Sequence, residues 1–526
     1  MFHQPLPLEI QDFQQANILD DFQGSTQGNY IKCYLKDLGA KSIVIEPHYF
    51  DKDYLSEFAN FYSTSSRGYP NSCKRIHFFS CDIDRQKLEK LLGEDSIVCK
   101  EIQDSYLGFS VIRPITVAPF GNTVLKWYPD LSTSHQRIRA LRNYHVHLSG
   151  ISLCVEGLSW QQQDTGVGAC ATVALWSALH SSAFDEYHAV PTTAQITKAA
   201  TKHINLGLPV FPNSGLNVHQ ICDAIKEMGL TPMVLTGDQP SAFFSTERFA
   251  SNCASFIRSG YPVIALGAIN GNGHAICISG FREAKLTNLQ NGMVNLSDSE
   301  IDTIYLHDDN LGPNVRAKLS THQYSVPGIQ TQFNRVGLKA KAPDPSKYSS
   351  QRTSGDDPTN WYYDFFPYTL IVAVHSEIRT SADHLNGKAL SIGNLFNIFL
   401  NPNKASPTTA ITTSATIMDL NLYVGKSLSS SLNNVPQVLS KVRLELLEKI
   451  PPMSYHLGVI RLGIGSQKFL DILFDTTDTD RNHPVFATIA YTPSVNTIIS
   501  TINSVKPNLI SMGIPVINFS YLIEAY

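Results

Sequence analysis

The chain has 526 residues, with 41 Lys plus Arg against 45 Asp plus Glu and a formal net charge of −4. That balance leaves no basic footprint for nucleic acid, and 43% hydrophobic residues is too many for a disordered chain. Charged residues make up only 16%, against roughly 25% in an average soluble protein, and Ser, Thr, Asn and Gln fill the gap, as in Thr408 to Ser414 and Ser429-Ser430-Ser431.

The opening residues, MFHQPLPLEIQDFQQ, lack the charged and apolar regions of a signal peptide. No apolar run approaches the roughly 18 residues that span a bilayer, so no membrane contact is expected. Cys33, Cys73, Cys81, Cys99, Cys154, Cys170, Cys222, Cys253 and Cys277 are irregularly spaced and form no C-x-x-C pair. Reduced thiols and a cytoplasmic location are the expectation.

Residues 1–150 alternate between strand and helix patterns. Ser42 to Phe50 reads as a strand and Asp51 to Tyr62 as a helix through Tyr54, Leu55, Phe58 and Phe61. Arg75 to Cys81 is strand-like, Arg85 to Leu92 helical, and Ser105 to Ile115 and Thr123 to Tyr128 strand-like again. An N-terminal α/β accessory domain is expected, with no catalytic constellation in it.

Residues 151–340 begin with helices. Ala171, Ala174, Leu175, Ala178 and Leu179 form one apolar stripe over Cys170 to Ser182. Thr192 and Gln195 have capping-box spacing. Val218 to Met228 follows, with Gly229 as its stop, and then Thr246 to Ser259 before Gly260. Strands come next: Tyr261 to Ile269, a turn at Asn270-Gly271-Asn272-Gly273, His274 to Phe281, and Thr303 to His307. Residues 341–360 read as a linker or exposed loop. A C-terminal α+β accessory domain is expected over 361–526. Its strands are Tyr368 to Val374, Met453 to Leu462, Phe469 to Phe474 and Val485 to Tyr491, and its helices Leu390 to Leu400 and Val438 to Ile450.

The chemistry concentrates around Cys170. A cysteine at a helix N-terminus feels the positive end of the dipole, which favours the thiolate. A glutamine a few residues upstream, in the run Gln161-Gln162-Gln163, can donate an amide N–H to an oxyanion beside the Cys170 backbone N–H. His274 opens a strand after the Asn-Gly turn, and Asp308 and Asp309 close the next one. Cys, His and Asp thus arrive in an order suited to a thiolate–imidazolium pair with an orienting acid.

This arrangement resembles the papain-like cysteine peptidases, most closely their C39-like branch, over roughly residues 155–320. The resembling residues are Gln163 (or Gln162), Cys170 and its helix, His274 in GHAICISGF, and Asp308 in IYLHDDN. The resemblance implies an α+β papain-like core, helices before an antiparallel sheet. It implies Cys170 as nucleophile, His274 as general base and acid, Asp308 as orienter and Gln163 as oxyanion donor. It requires no metal and no organic cofactor. Three departures stand beside it. Ala171 follows the cysteine where the family has Gly. Asp164 holds the position where the family has Gln, so Gln162 and Gln163 are both candidates. A polar insertion over 284–300 lengthens the His-to-Asp connection and leaves Asp308 and Asp309 as alternatives. Strand alternation sends those two carboxylates to opposite sides, and Asp308 is favoured because it continues Ile304-Tyr305-Leu306-His307.

The expected activity is hydrolysis of peptide or isopeptide bonds in a protein or peptide substrate. Alternatives on the same core are transglutaminase-like or amidase acyl transfer, and a catalytically degenerate interaction protein. The flanking domains are candidates for capping the cleft or holding a partner protein. His145 and His147 lack a third ligand with metal spacing and read as a surface or half-buried pair. Asp475, Asp478 and Asp480 lack the Gly and Glu of an EF-hand loop and read as a turn.

Overall fold

The computed structural model describes residues 8–15, 25–128, 137–164, 169–184, 189–202, 215–269, 271–283, 289–296, 301–341, 364–432, 435–449, 452–465, 467–477 and 485–526. The fold is mixed α+β with several sheets. Among the described residues, no helix is long and apolar enough to cross a membrane, and all nine cysteines are free. The expected linker at 341–360 and the loop positions Asp478 and Asp480 lie outside the described residues, apart from Lys341.

The N-terminal unit carries β1 (Glu9–Asp12), α1 (Thr26–Asp37), β2 (Ser42–Tyr49), α2 (Lys52–Glu57), β3 (Cys73–Phe79), α3 (Arg85–Leu92), α4 (Ser96–Ser105), β4 (Tyr106–Ile112) and β5 (Phe120–Leu125). Its strands pair in chain order, and every pairing is antiparallel. The sheet is therefore a meander with inserted helices rather than the parallel sheet of an α/β domain. Past α2 the backbone winds into one π-helical turn, Phe58–Tyr62, so the expected single helix changes pitch there.

Next come β6 (Arg137–Arg139), β7 (Arg142–Leu148) and β8 (Ile151–Gly157). β7 and β8 form a hairpin whose turn spans the expected boundary at residue 150. Val146, Leu148, Leu153 and Val155 of this hairpin pack into the N-terminal core, because alternation points them all to one face.

The central unit contains α5 (Cys170–Leu179), α6 (Thr193–Thr201), α7 (Val218–Glu227), β9 (Leu230–Thr236), α8 (Thr246–Arg258), β10 (Val263–Ile269), β11 (Asn272–Glu283), β12 (Val294–Leu296), β13 (Ile301–Asp308), β14 (Gly312–Ser325), β15 (Gln332–Lys341) and β16 (Asp364–His375). Strands pair in the order β10-β11-β13-β14-β15-β16, and β16 pairs back onto β10. The hydrogen-bonded ring closes, with β9 along β16 and β6 along β11 as outriggers. β16 follows the expected linker in sequence yet belongs to this ring. Conversely, β12 pairs in parallel with a strand of the C-terminal sheet.

α5 lies against β10 and β11 with α6 and α7 beside it. Residues 171 to 179 are all buried. The apolar stripe extends all round, as suits a helix enclosed on every side. The capping box forms as expected, with the Thr192 side chain on the Gln195 backbone and the Gln195 side chain on the Thr192 backbone.

The C-terminal unit holds α9 (Ala382–Leu400), β17 (Ile411–Asp419), α10 (Leu420–Leu422), α11 (Leu428–Ser431), α12 (Pro436–Lys449), β18 (His456–Ile464), β19 (Gln467–Asp475), β20 (Val485–Ala490), α13 (Ser494–Ser511) and β21 (Leu522–Glu524). Its sheet runs β12-β17-β18-β19-β20-β21.

Candidate active site

Cys170 opens α5. The residue before it, Ala169, has extended backbone and offers no side-chain cap. The N–H groups of the first turn therefore stay unclaimed by a cap and face the same end as the sulfur. His274 lies on β11 opposite Gly267 of β10. At Gly267 a Cβ would stand 2.4 Å from the Phe365 ring and 2.5 Å from the Phe366 carbonyl oxygen. The bare backbone lets β16 close the ring and brings Phe365 edge-on to the imidazole, with ring centroids 6.3 Å apart.

His274 Nε2 lies 3.0 Å from Asp308 Oδ1. It also lies 3.5 Å from Asp309 Oδ1. The expectation that alternation separates the two carboxylates does not hold. The β13–β14 register slips between Leu306 and Asp308, and Asp309 already sits beyond the end of β13. A bulged strand end loses strict alternation, so both acids face one imidazole. They differ in bonding. Asp308 Oδ1 also accepts the Asn310 backbone N–H at 2.8 Å, and the Asp308 carbonyl accepts Trp160 Nε1 at 2.9 Å. Among the described residues, the Asp309 carboxylate has only the 3.5 Å approach to His274 beside the backbone N–H groups of residues 309 and 310.

Burial alone would push the His274 imidazole down. The charge and hydrogen bond of Asp308 oppose it, followed by a hydrogen bond with Cys170 and the Asp309 charge, and together they hold it well above its ordinary value. Burial, partly offset by the His274 charge and reinforced by Asp308, lifts the Asp309 carboxyl to about 7. Tyr368 of β16 flanks the thiol; burial first, then the Cys170 charge, raises its phenol.

Gln163 and Gln162 separate clearly. Gln163 Nε2 donates to Asn310 Oδ1 at 2.8 Å, and Asn310 Nδ2 approaches His274 Nδ1 at 3.5 Å. Gln163 thus stands one residue from the imidazole. Gln162 is buried, and its Oε1 accepts from the Phe120 N–H of β5. The glycine-bearing residues 165–168 lie outside the described residues. His145 and His147 are exposed on β7.

Sequence reasoning missed Asn310, Trp160 and Arg113. Asn310 carried a signal, as the residue completing Asp308-Asp309-Asn310. The other two carried none, because their partners are far away in sequence. Arg113 Nη2 donates to the Gln162 carbonyl at 3.0 Å, and Nη1 reaches Glu57 Oε2 at 3.0 Å and Asp164 Oδ2 at 3.4 Å. Glu57 Oε1 accepts in turn from Gln161 Nε2 and from Thr193 Oγ1. The run from Trp160 to Asp164 is therefore held by groups of the N-terminal unit.

Among the described residues, His274, Asp308 and Asp309 form a group of metal-capable side chains, their ligand atoms within 4.8 Å of one another. One imidazole and two carboxylates is a set that a divalent cation accepts. The same atoms serve as an acid–base relay without one.

No protein-family model matches the chain, and no curated protein matches it.

Proposed function

We propose that the chain is a cysteine peptidase with a papain-like core, acting through Cys170, His274 and Asp308. The observation that carries this reading is the single imidazole that meets an acid at 3.0 Å through Nε2 and interacts with the Cys170 thiol at the head of a buried helix. Asp308 fixes the ring and favours its charged form. His274 takes the Cys170 proton, and the thiolate attacks the carbonyl carbon of an amide. The developing oxyanion rests on the first-turn N–H groups of α5 and on the Gln163 amide. The imidazolium protonates the leaving amine, and water activated by the neutral imidazole releases the acid. Asn310 holds Gln163 and His274 in one network. The substrate is a protein or peptide, and the compartment is reducing, in keeping with nine free thiols.

A peptidyl epoxide tests the reading. Labelling of Cys170 is expected, and His274→Ala abolishes it. Cys222 serves as the internal comparator, since burial raises its thiol pKa. If Cys170 labels no faster than Cys222, the proposal is wrong. Fragment release from a peptide without an added amine separates hydrolysis from acyl transfer.

A further inference from the structure

The two small-polar runs in the sequence have no part in the chemistry above. Both border one cleft of about 670 Å³ between the C-terminal sheet and the central unit. Thr412, Thr413, Ser414 and Thr416 of β17 line its floor, and Ser430 lines it from the helical segment above. Thr412 lies opposite Gly463 of β18, where a Cβ would stand 2.6 Å from the Thr412 hydroxyl oxygen. The floor is thus kept open by a missing side chain.

The cations at this cleft are fixed unequally. Arg461 Nε and Nη2 bind the two Asp471 oxygens at 2.7 and 2.6 Å. Asp471 is fully buried and also accepts from Tyr423 and Tyr491, so the guanidinium is anchored from behind. Arg461 Nη2 reaches Ser427 Oγ as well, while Nη1 has no protein partner among the described residues. Arg258 at the central wall pairs with Glu283. Lys468 donates to Ser431 Oγ at 3.0 Å and has no carboxylate partner among the described residues. Lys426 is exposed at the rim with no acid within ion-pair distance among the described residues. Two ammonium groups without a carboxylate partner among the described residues thus share the cleft with the Asp471-anchored guanidinium and several hydroxyls. Burial and the Arg461 charge press the Lys468 pKa down to about 8, which leaves it protonated at neutral pH. An apolar wall adjoins this polar floor: Met418 continues β17 past Thr416, Val459 pairs with Thr416 across the sheet, and Leu422 and Ile138 line the cleft beside them. The volume lies within the roughly 300–1,000 Å³ of ordinary small-ligand sites.

We propose that this cleft binds a small organic phosphate, its phosphoryl group held by Lys426, Lys468, Arg461 and the surrounding hydroxyls, its carbon body against the apolar wall. Cationic forks and hydroxyl donors are the groups that recognise phosphate oxygens. Glu283, which lines the cleft, lies nine residues from His274 along β11, at most about 30 Å at a strand rise of about 3.3 Å per residue. The site is separate from the candidate active site and does not depend on the activity proposed for it.

Calorimetry on the full chain tests this, with inorganic phosphate, pyrophosphate, glycerol 2-phosphate and a phenyl phosphate as probes, against sodium chloride at equal ionic strength. Phenyl phosphate is expected to bind at least tenfold more tightly than inorganic phosphate, about 1.4 kcal/mol. Lys426→Gln with Lys468→Gln is expected to weaken binding by at least about tenfold, and Lys426→Gln alone, at an exposed position that leaves the fold untouched, by about threefold. No heat from any phosphate at about 10 mM, or equal affinity in the parent and both variants, overturns the proposal. Equal affinity for inorganic and phenyl phosphate overturns the organic body and makes the site one for free phosphate.

Discussion

Arg113→Met is the most informative single change to the framework. The Arg113 side chain is 1% exposed, and it faces Glu57 and Asp164 side chains that are 0% and 1% exposed. Removing the cation takes the Arg113 counter-charge from two buried carboxylates, and their mutual repulsion adds to their desolvation. Breaking a buried pair by deleting one partner costs about 3–5 kcal/mol. Two further groups lose a donor, the carbonyls of Ala118 and Gln162. We expect a stability loss at the upper end of that range, read from the first transition in urea. Glu57→Gln keeps acceptors for Gln161 and Thr193 and leaves Arg113 facing Asp164, so its loss should be clearly smaller. Activity should fall in Arg113→Met even well below its melting temperature, because the Gln162 carbonyl is the anchor next to Gln163. A loss under about 1 kcal/mol, the range of exposed pairs, would refute the claim that this ion pair is closed to solvent and structural.

Four further outcomes follow from the geometry. Asp308→Asn should lower turnover by about 10²–10⁴-fold, and Asp309→Asn by less than about tenfold, since only Asp308 bonds His274 at 3.0 Å; equal losses would show a shared role. Asn310→Ala should lower turnover while leaving the melting temperature near the parent's, because it frees Gln163 and His274 Nδ1 together; unchanged turnover would remove it from the site. Asp53, which accepts from Trp176 of α5, is pushed up to about 8 by burial first and by Asp51 and Glu57 next. Between about pH 4 and pH 8 the native state keeps a proton that the unfolded state releases, so this group lowers stability as pH rises. Asp53→Asn should therefore gain stability over the parent progressively across that window, with melting temperatures at about pH 5 and pH 8 as the check; a gain that shrinks with pH would reverse the assignment. Finally, a chelator should leave turnover unchanged, whereas added zinc should suppress it by occupying His274, Asp308 and Asp309; loss of activity on chelation would make the group a metal centre.

Local signals in the sequence translated directly into elements. The Thr192–Gln195 capping box and the Gly229 stop, at φ +79, mark helix ends that depend on a few neighbouring residues. The helix led by Cys170 and the strand carrying His274 were readable for the same reason. Elements rich in polar residues were not. β17, ITTSATIMD, hides its strand period under hydroxyls. β14 and β15 form a long hairpin whose outer half alternates Lys, Thr, Gln and Asn at exposed positions. α13 holds Pro507 in its interior, and α1 holds Gly28, both signals that argue against a helix. The twin acids failed for a different reason. Alternation assumes an unbroken ladder, and one slip of register at Asp308 turned Asp309 onto the same imidazole.

Long-range pairing decides what the N-terminal unit is for. Trp160 bridges Thr123 of β5, and Gln162 N–H bonds the Phe120 carbonyl of the same strand. The run leading to Gln163 is thus an edge extension of the N-terminal sheet. The acid turn is tied to the same unit from the other side. Gln27 Nε2 of α1 donates to the Asp309 carbonyl at 3.1 Å, and Gly312 lies so close to Tyr30 that a Cβ would stand 2.3 Å from its ring. The run before Cys170 and the turn after Asp308 both bond to the N-terminal unit. One N-terminal body grips both, and it does so through buried hydrogen bonds and packing rather than surface charge. A chain organised this way has few reasons to carry exposed ion pairs and many to carry small polar side chains that bond backbone across internal seams. The N-terminal unit thus contacts the chain on both sides of the candidate site, at residues 160–164 and at Asp309 and Gly312.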